Sequence, residues 1–281
     1  SGVVLANQTP SQIRAVLQGC LEDLQSGQKR QSVKLPGDKF PAASPTAAIS
    51  QAAFPIQHAV LLVGSPRTRK SSSQALGGYL FDQLGAQSIQ TETIYLHTIL
   101  RSPEKMSAML EALERADLVL LAFPLYVDSL PAPVIDALEK IAAHRQALEM
   151  SKPALFAALA NCGFPEAAHN ATALAICEMF ARQAGFTWAG SLALGGGEGL
   201  VHGADLKAAG GQAITIKKSL EMAAAALARG EGIPLAAQTL MAKPTIPGWL
   251  YRIIGGLGWD QQAKKYGALK LMKRKTYQLM D

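Results

Sequence analysis

Cysteine is scarce in this chain. Cys20, Cys162 and Cys177 are the only three in 281 residues. They are too sparse for a disulfide framework, and no C-x-x-C pair is present to hold zinc or an iron–sulfur cluster. Sparse thiols of this kind suit a reducing, cytoplasmic setting. Long apolar runs are missing too: none approaches the roughly 18–20 residues that span a bilayer. The opening SGVVLANQTP has neither a basic n-region nor a long apolar h-region, so no signal peptide is expected. Charge is thin, at 17% of residues against 49% hydrophobic, which suits a buried core and excludes a disordered chain. The net charge of +6 is also absent from most of the sequence. From Met241 to Asp281, eight basic residues (Lys243, Arg252, Lys264, Lys265, Lys270, Lys273, Arg274, Lys275) face two acids, Asp260 and Asp281, and the remainder balances. No basic face extends through the body of the chain, so nucleic acid is excluded as a partner.

What is present is alternation. Thr9 reads as an N-cap with Pro10 at the first helical position, and Ile13, Val16, Leu17, Cys20, Leu21 and Leu24 recur at helical spacing up to Gly27. From Gln28 to Phe54, Pro36, Pro41 and Pro45 interrupt an Ala/Ser-rich arm. At His58 a regular pattern begins. Ala59–Val63 is a continuous apolar run of the kind expected for a parallel strand buried on both faces, and further strands are expected at Ile89–Leu96, Asp117–Phe123 (the most hydrophobic), Ala154–Ala160 and Phe186–Leu194. Helices are predicted between them at 72–84, 103–115 (Ser102 as N-cap), 131–147 and 165–183, with a long Ala-rich helix over 204–228. This order predicts an open parallel α/β sheet with right-handed crossovers. Strand order 2-1-3-4-5 is one of two common solutions, and in both the ligand sits at the carboxyl ends of the strands.

Three loops at those ends carry the chemistry. The first, Gly64-Ser65-Pro66-Arg67-Thr68-Arg69-Lys70-Ser71-Ser72-Ser73, leaves a buried strand and enters a helix. Backbone N–H groups and the positive helix end therefore converge on one spot suited to a phosphate. It has neither the Walker nor the G-x-G-x-x-G pattern. The second, Phe123-Pro124-Leu125-Tyr126-Val127-Asp128 before Ser129-Leu130-Pro131-Ala132, sets a proline-fixed turn beside an aromatic, a flat apolar slot for a planar heterocycle. The third is Asn161-Cys162-Gly163-Phe164-Pro165-Glu166. Cys162 at a strand end has the setting of an activated thiol or of a small packing residue. Glu166 and His169 are candidates to flank a bound ring or to lie on a helix surface.

The Gly-Ser-Pro-Arg loop with its following serines, and the Pro124…Pro131-Ala132 segment, resemble the NAD(P)H-dependent FMN reductase branch of the flavodoxin-like flavoproteins. The resemblance runs from about Ala59 to Gly199. It departs from the family at Phe123, where serine is frequent. It implies a flavodoxin-like five-stranded sheet of order 2-1-3-4-5 with helices on both faces, to which the flanking sequence adds an N-terminal helical arm and a C-terminal helical tail. The domains would be 1–57 (arm), 58–232 (FMN-binding domain) and 233–281 (basic aromatic tail). It implies FMN held by Ser65, Arg67, Ser71, Ser72 and Ser73 at the phosphate, Pro124, Leu125, Tyr126 and Val127 at the ring, and Asn161, Cys162 and Gly163 at its far edge. NADPH or NADH would give hydride to the flavin N5, so no side chain is assigned a catalytic role. Electrons would leave to a quinone, an aromatic or another small acceptor. An FMN electron carrier without nicotinamide activity, and a non-redox interaction module, are the other readings of this fold.

Outside the three loops, Gly195-Gly196-Gly197-Glu198-Gly199 with His202 is expected to be a mobile loop, or one that closes over substrate. The apolar stripe Ile13–Leu24 and the family habit suggest a homodimer. The tail joins Trp249, Tyr251 and Trp259 to Lys273-Arg274-Lys275, a composition that fits packing on its own domain, a membrane surface or a protein partner.

Overall fold

The computed structural model describes residues 55–100, 102–148, 152–197, 201, 206–207, 210–211, 213–244 and 248–272. All belong to the second of the two units into which the chain divides, Ala48–Asp281. The expected N-terminal helix and arm, Cys20, Glu198, Gly199, His202 and the Lys273–Lys275 cluster lie outside the described residues.

Five strands form one parallel sheet in the order β2-β1-β3-β4-β5: β1 (His58–Val63), β2 (Gln90–Tyr95), β3 (Leu118–Pro124), β4 (Leu155–Asn161) and β5 (Thr187–Leu194). β3 and β4 pair in unbroken register from Leu118↔Leu155 to Pro124↔Asn161. The order reverses between β1 and β3, so the loops leaving these two strands diverge and open a crevice at their carboxyl ends.

Alternate residues of the central strands enter different cores, as the pleat requires. Leu61, Val63, Leu118, Leu120, Ala157 and Leu159 point to one face. There they meet α1 (Ser72–Gly85) through Leu76, Leu80 and Leu84, α6 (Ala213–Ala228) through Ile216 and Leu220, and α7 (Leu235–Ala242) through Ala237 and Met241. Val60, Leu62, Val119, Leu121, Phe123 and Phe156 point to the other face. They meet α2 (Leu96–Ile99), α3 (Pro103–Arg115), α4 (Ala132–Ala147) and α5 (Ala171–Gln183) through Ile99, Met109, Leu138, Ile141 and Phe180. α8 (Gly248–Lys265) follows.

Local chemistry sets these boundaries. The Ser102 hydroxyl accepts from Lys105 N and caps α3, whose first residue is Pro103. The helix expected from Pro165 starts later, because Ala167–Asn170 forms a 3-10 turn before α5 begins at Ala171. The long helix expected from Ala204 is regular only from Ala213. The core also runs past residue 232: Ile233 N–H donates to Ala189 O at 2.7 Å, and the Ser219 hydroxyl donates to Ala237 O at 2.7 Å, tying α7 to β5 and α6.

Candidate flavin site at the carboxyl end of the sheet

The first loop leaves β1 with Gly64 N–H donating to Ala122 O at 2.8 Å. Glycine is required there, since a methyl group would lie 2.4 Å from Val134 Cγ2 and 2.9 Å from Phe123 Cβ. The chain then makes a 3-10 turn over Thr68–Lys70, with Thr68 in the left-handed region at φ 49°. The turn brings the chain to α1, whose first N–H groups, those of Ser72 and Ser73, have no intrahelical acceptor by helix geometry.

The serines of this loop do different things. Ser71 donates to Thr68 O at 2.7 Å and accepts from Gln74 N at 3.1 Å, so it spends its proton on the turn and caps α1. Ser72 donates to Gly197 O at 3.3 Å. Ser73 accepts from Asn161 Nδ2 at 2.9 Å and Ser65 from Arg67 N at 3.4 Å, which leaves each of those hydroxyls its proton to give. All four serines are buried, while Arg67 is exposed on the rim.

The second loop is a tight turn. Tyr126 and Ser129 exchange N–H···O bonds of 3.0 and 3.1 Å across Val127 and Asp128. Both central residues are left-handed, at φ 48° and 57°, as a two-residue turn of this kind demands. A β-branched residue is an outlier there, yet Val127 is 99% exposed and has no packing that would favour it. Tyr126 is exposed beside it.

The third loop is held from behind. The Asn161 carboxamide donates to Ser73 Oγ and, at 3.1 Å, to Phe123 O, while its backbone oxygen accepts from Leu125 N at 2.8 Å. One buried residue thus ties the ends of β3 and β4 to the start of α1. Cys162 is buried within 3.4 Å of Phe164 O, and Asn170 Nδ2 donates to its sulfur at 3.4 Å. Burial pushes the thiol pKa up. An activated thiolate needs the opposite shift, and the buried sulfur stands among backbone carbonyls and Asn170. Gly163 is exposed, and among the described residues no heavy atom lies within 4 Å of where a methyl group would stand. His169 lies against the exposed Phe164 ring, with centroids 4.4 Å apart, and 3.8 Å from the Glu166 carboxylate.

The glycine loop after β5 departs from expectation in the part described. Gly196 N–H donates to Phe164 O at 2.6 Å and Gly197 N–H to Cys162 O at 3.0 Å. A methyl group on Gly195 would lie 2.1 Å from Pro165 O. These glycines permit close backbone packing against the third loop, and residues 195–197 are a fixed seam. Sequence reading also missed Asn170, fully buried and donating to Ala167 O and Leu194 O. Its only signal was a polar residue near the start of an otherwise apolar helix face.

The N–H groups that open α1, the exposed turn at Tyr126–Val127 and the exposed Gly163 thus stand at one end of the sheet. Residues 58–191 match the family described as NADPH-dependent FMN reductase. The matched span is a flavin oxidoreductase domain, with FMN as cofactor and NAD(P)H as electron donor. Among solved structures, the chain is similar to an azoreductase from Bacillus anthracis str. Sterne (14% identity, 62% of this chain and 99% of that one, TM-score 0.43). It is also similar to an NAD(P)H:quinone oxidoreductase from Methanothermobacter marburgensis (18%, 62% and 96%, 0.44) and to an apo NADH:FMN oxidoreductase (18%, 65% and 94%, 0.46). No curated protein matches. At these identities the functional assignment rests on the family match.

Proposed function

We propose that the protein is an FMN-dependent oxidoreductase that passes electrons from NADPH or NADH to a small acceptor such as a quinone or an aromatic compound. The observation that carries this reading is the convergence of the three loops on one crevice within the span that matches the reductase family. FMN supplies the two-electron chemistry when bound. The protein's part is to hold and orient it.

In this reading the α1 N-terminus, with Ser65, Ser73 and Arg67, takes the phosphate. Ser71 and Ser72 shape that loop through their bonds to Thr68 and Gly197. Pro124, Leu125, Tyr126 and Val127 form the apolar wall against the ring. Asn161, Cys162 and Gly163 form the opposite edge. A cytoplasmic homodimer is part of the same proposal, supported by the sparse thiols and the apolar stripe Ile13–Leu24.

An absorbance scan of the purified protein with added FMN, followed by anaerobic NADH and NADPH, tests it. Bound flavin bands that bleach with a nicotinamide are expected. Binding without bleaching would move the assignment to an electron carrier, and no binding at all would leave an interaction module. A monomeric mass by light scattering at micromolar concentration would overturn the dimer.

A further inference from the structure

We propose that the C-terminal segment from Gly248 onward docks on an anionic lipid surface. Large apolar side chains are rarely left uncovered in clusters, yet this short stretch exposes Ile253, Leu257, Trp259, Tyr266, Leu269 and Leu271, with Trp259 71% exposed. They begin just after α7, whose Ala237 and Met241 are buried in the core.

Two features of the segment select lipid as the occupant. The first is how its apolar residues are distributed. Trp249, Leu250, Tyr251, Ile253, Ile254, Leu257 and Trp259 crowd one end of α8, with Arg252 the single charge among them. A bilayer interface takes up apolar groups of this kind and favours Trp and Tyr at headgroup level. The apolar end is about half the length of a membrane span, and no helix among the described residues is long and apolar enough to cross a membrane. The second feature is charge. Lys264, Lys265 and Lys270 follow the apolar end, and Lys273, Arg274 and Lys275 continue the series in the sequence. Asp260 is the only acid between Trp259 and Lys275. The Lys265 ammonium lies 5.6 Å from the Tyr266 ring centroid, so a cation and an aromatic are presented together. A cluster of this size placed beside an apolar anchor complements anionic headgroups.

The inference does not depend on the flavin reading, because its test reads lipid binding. The full-length chain is sedimented with vesicles of phosphatidylcholine alone and of equal parts phosphatidylcholine and phosphatidylglycerol. It is expected to follow the anionic vesicles only and to be released by salt. Neutralising a lysine at the surface should lower partitioning about five-fold, so K264Q/K265Q/K270Q should lower it roughly 100-fold. L257S/W259S should also abolish sedimentation while leaving the melting temperature unchanged. A chain that stays in the supernatant, binds both vesicles equally, or binds undiminished in both variants overturns the proposal. So does a lipid-free oligomer that L257S/W259S dissociates, because the apolar end would then be covered by a second copy.

Discussion

At the amino-terminal end of the sheet, the buried polar groups are charged and matched. Asp117 accepts from Gln57 N and His58 N at 2.9 Å and pairs with Lys152 Nζ at 2.5 Å. Arg145 donates to Ala184 O, Gly185 O and Lys152 O, with its guanidinium 3.9 Å from the Phe186 ring centroid. At the carboxyl-terminal end the buried polar groups are serines and amides, and the backbone carries the stress. Of the four left-handed non-glycine residues among those described, three, Thr68, Val127 and Asp128, lie in the first two loops there. Among the described residues, the two buried side-chain oxygens without a hydrogen-bond partner, Gln74 Oε1 and Asn170 Oδ1, are at that end as well. Polar groups of one end are spent on holding the strands together. Those of the other are left partly unsatisfied, as expected where a ligand completes the structure.

Substitutions can break this contrast. The largest effect is expected at Gly195, where a methyl group meets backbone that cannot swing away. Gly195→Ala should destabilise by about 3 kcal/mol and eliminate FMN binding, measured by thermal melting and flavin titration. At the opposite end, Asp117→Ala should cost about 2–3 kcal/mol by stranding its donors, while the protein that remains folded binds FMN normally. Loss of affinity there would show the two ends to be coupled.

Asp117 also predicts a pH dependence. Burial raises its pKa, but the bonds from Lys152, Gln57 and His58 outweigh this and hold it below the ordinary carboxylate value. Its contribution is therefore full above about pH 4 and is lost as pH falls through the depressed pKa. Asp117→Asn should flatten that acid limb of the stability curve, measured by melts across acidic pH.

Smaller changes sharpen the contrast. Asn161→Ala should cost about 2 kcal/mol in stability and weaken FMN binding at least as strongly, because three elements lose a common tie. Ser71→Ala should cost about 1 kcal/mol as a lost cap. Ser65→Ala should leave stability unchanged and weaken FMN more than riboflavin. Equal weakening of both ligands would contradict a phosphate role.

Most of the fold was legible because β1, β3 and β4 are nearly continuous apolar runs and the helices carry ordinary start signals; Ser102–Pro103 placed α3 to the residue. What escaped was decided by contacts distant in sequence. Nothing near Ser72 or Ser73 signals that their partners are Gly197 and Asn161. A glycine run also reads identically whether it moves or packs, so the seam at Gly195–Gly197 became visible only once Pro165 stood against it. The left-handed Val127 was hidden because sequence preferences argue against it at that position.

The two bonds that close the first loop from behind join residues 88 and 125 positions apart, Ser73 with Asn161 and Ser72 with Gly197. Closing loops of that size comes late in folding, because the entropy is lost before the contact is gained. A growing chain can therefore complete β1 and α1 on the ribosome long before the phosphate loop has its support. Cofactor capture would then report that β5 has arrived, making flavin uptake a marker of completed synthesis for this domain.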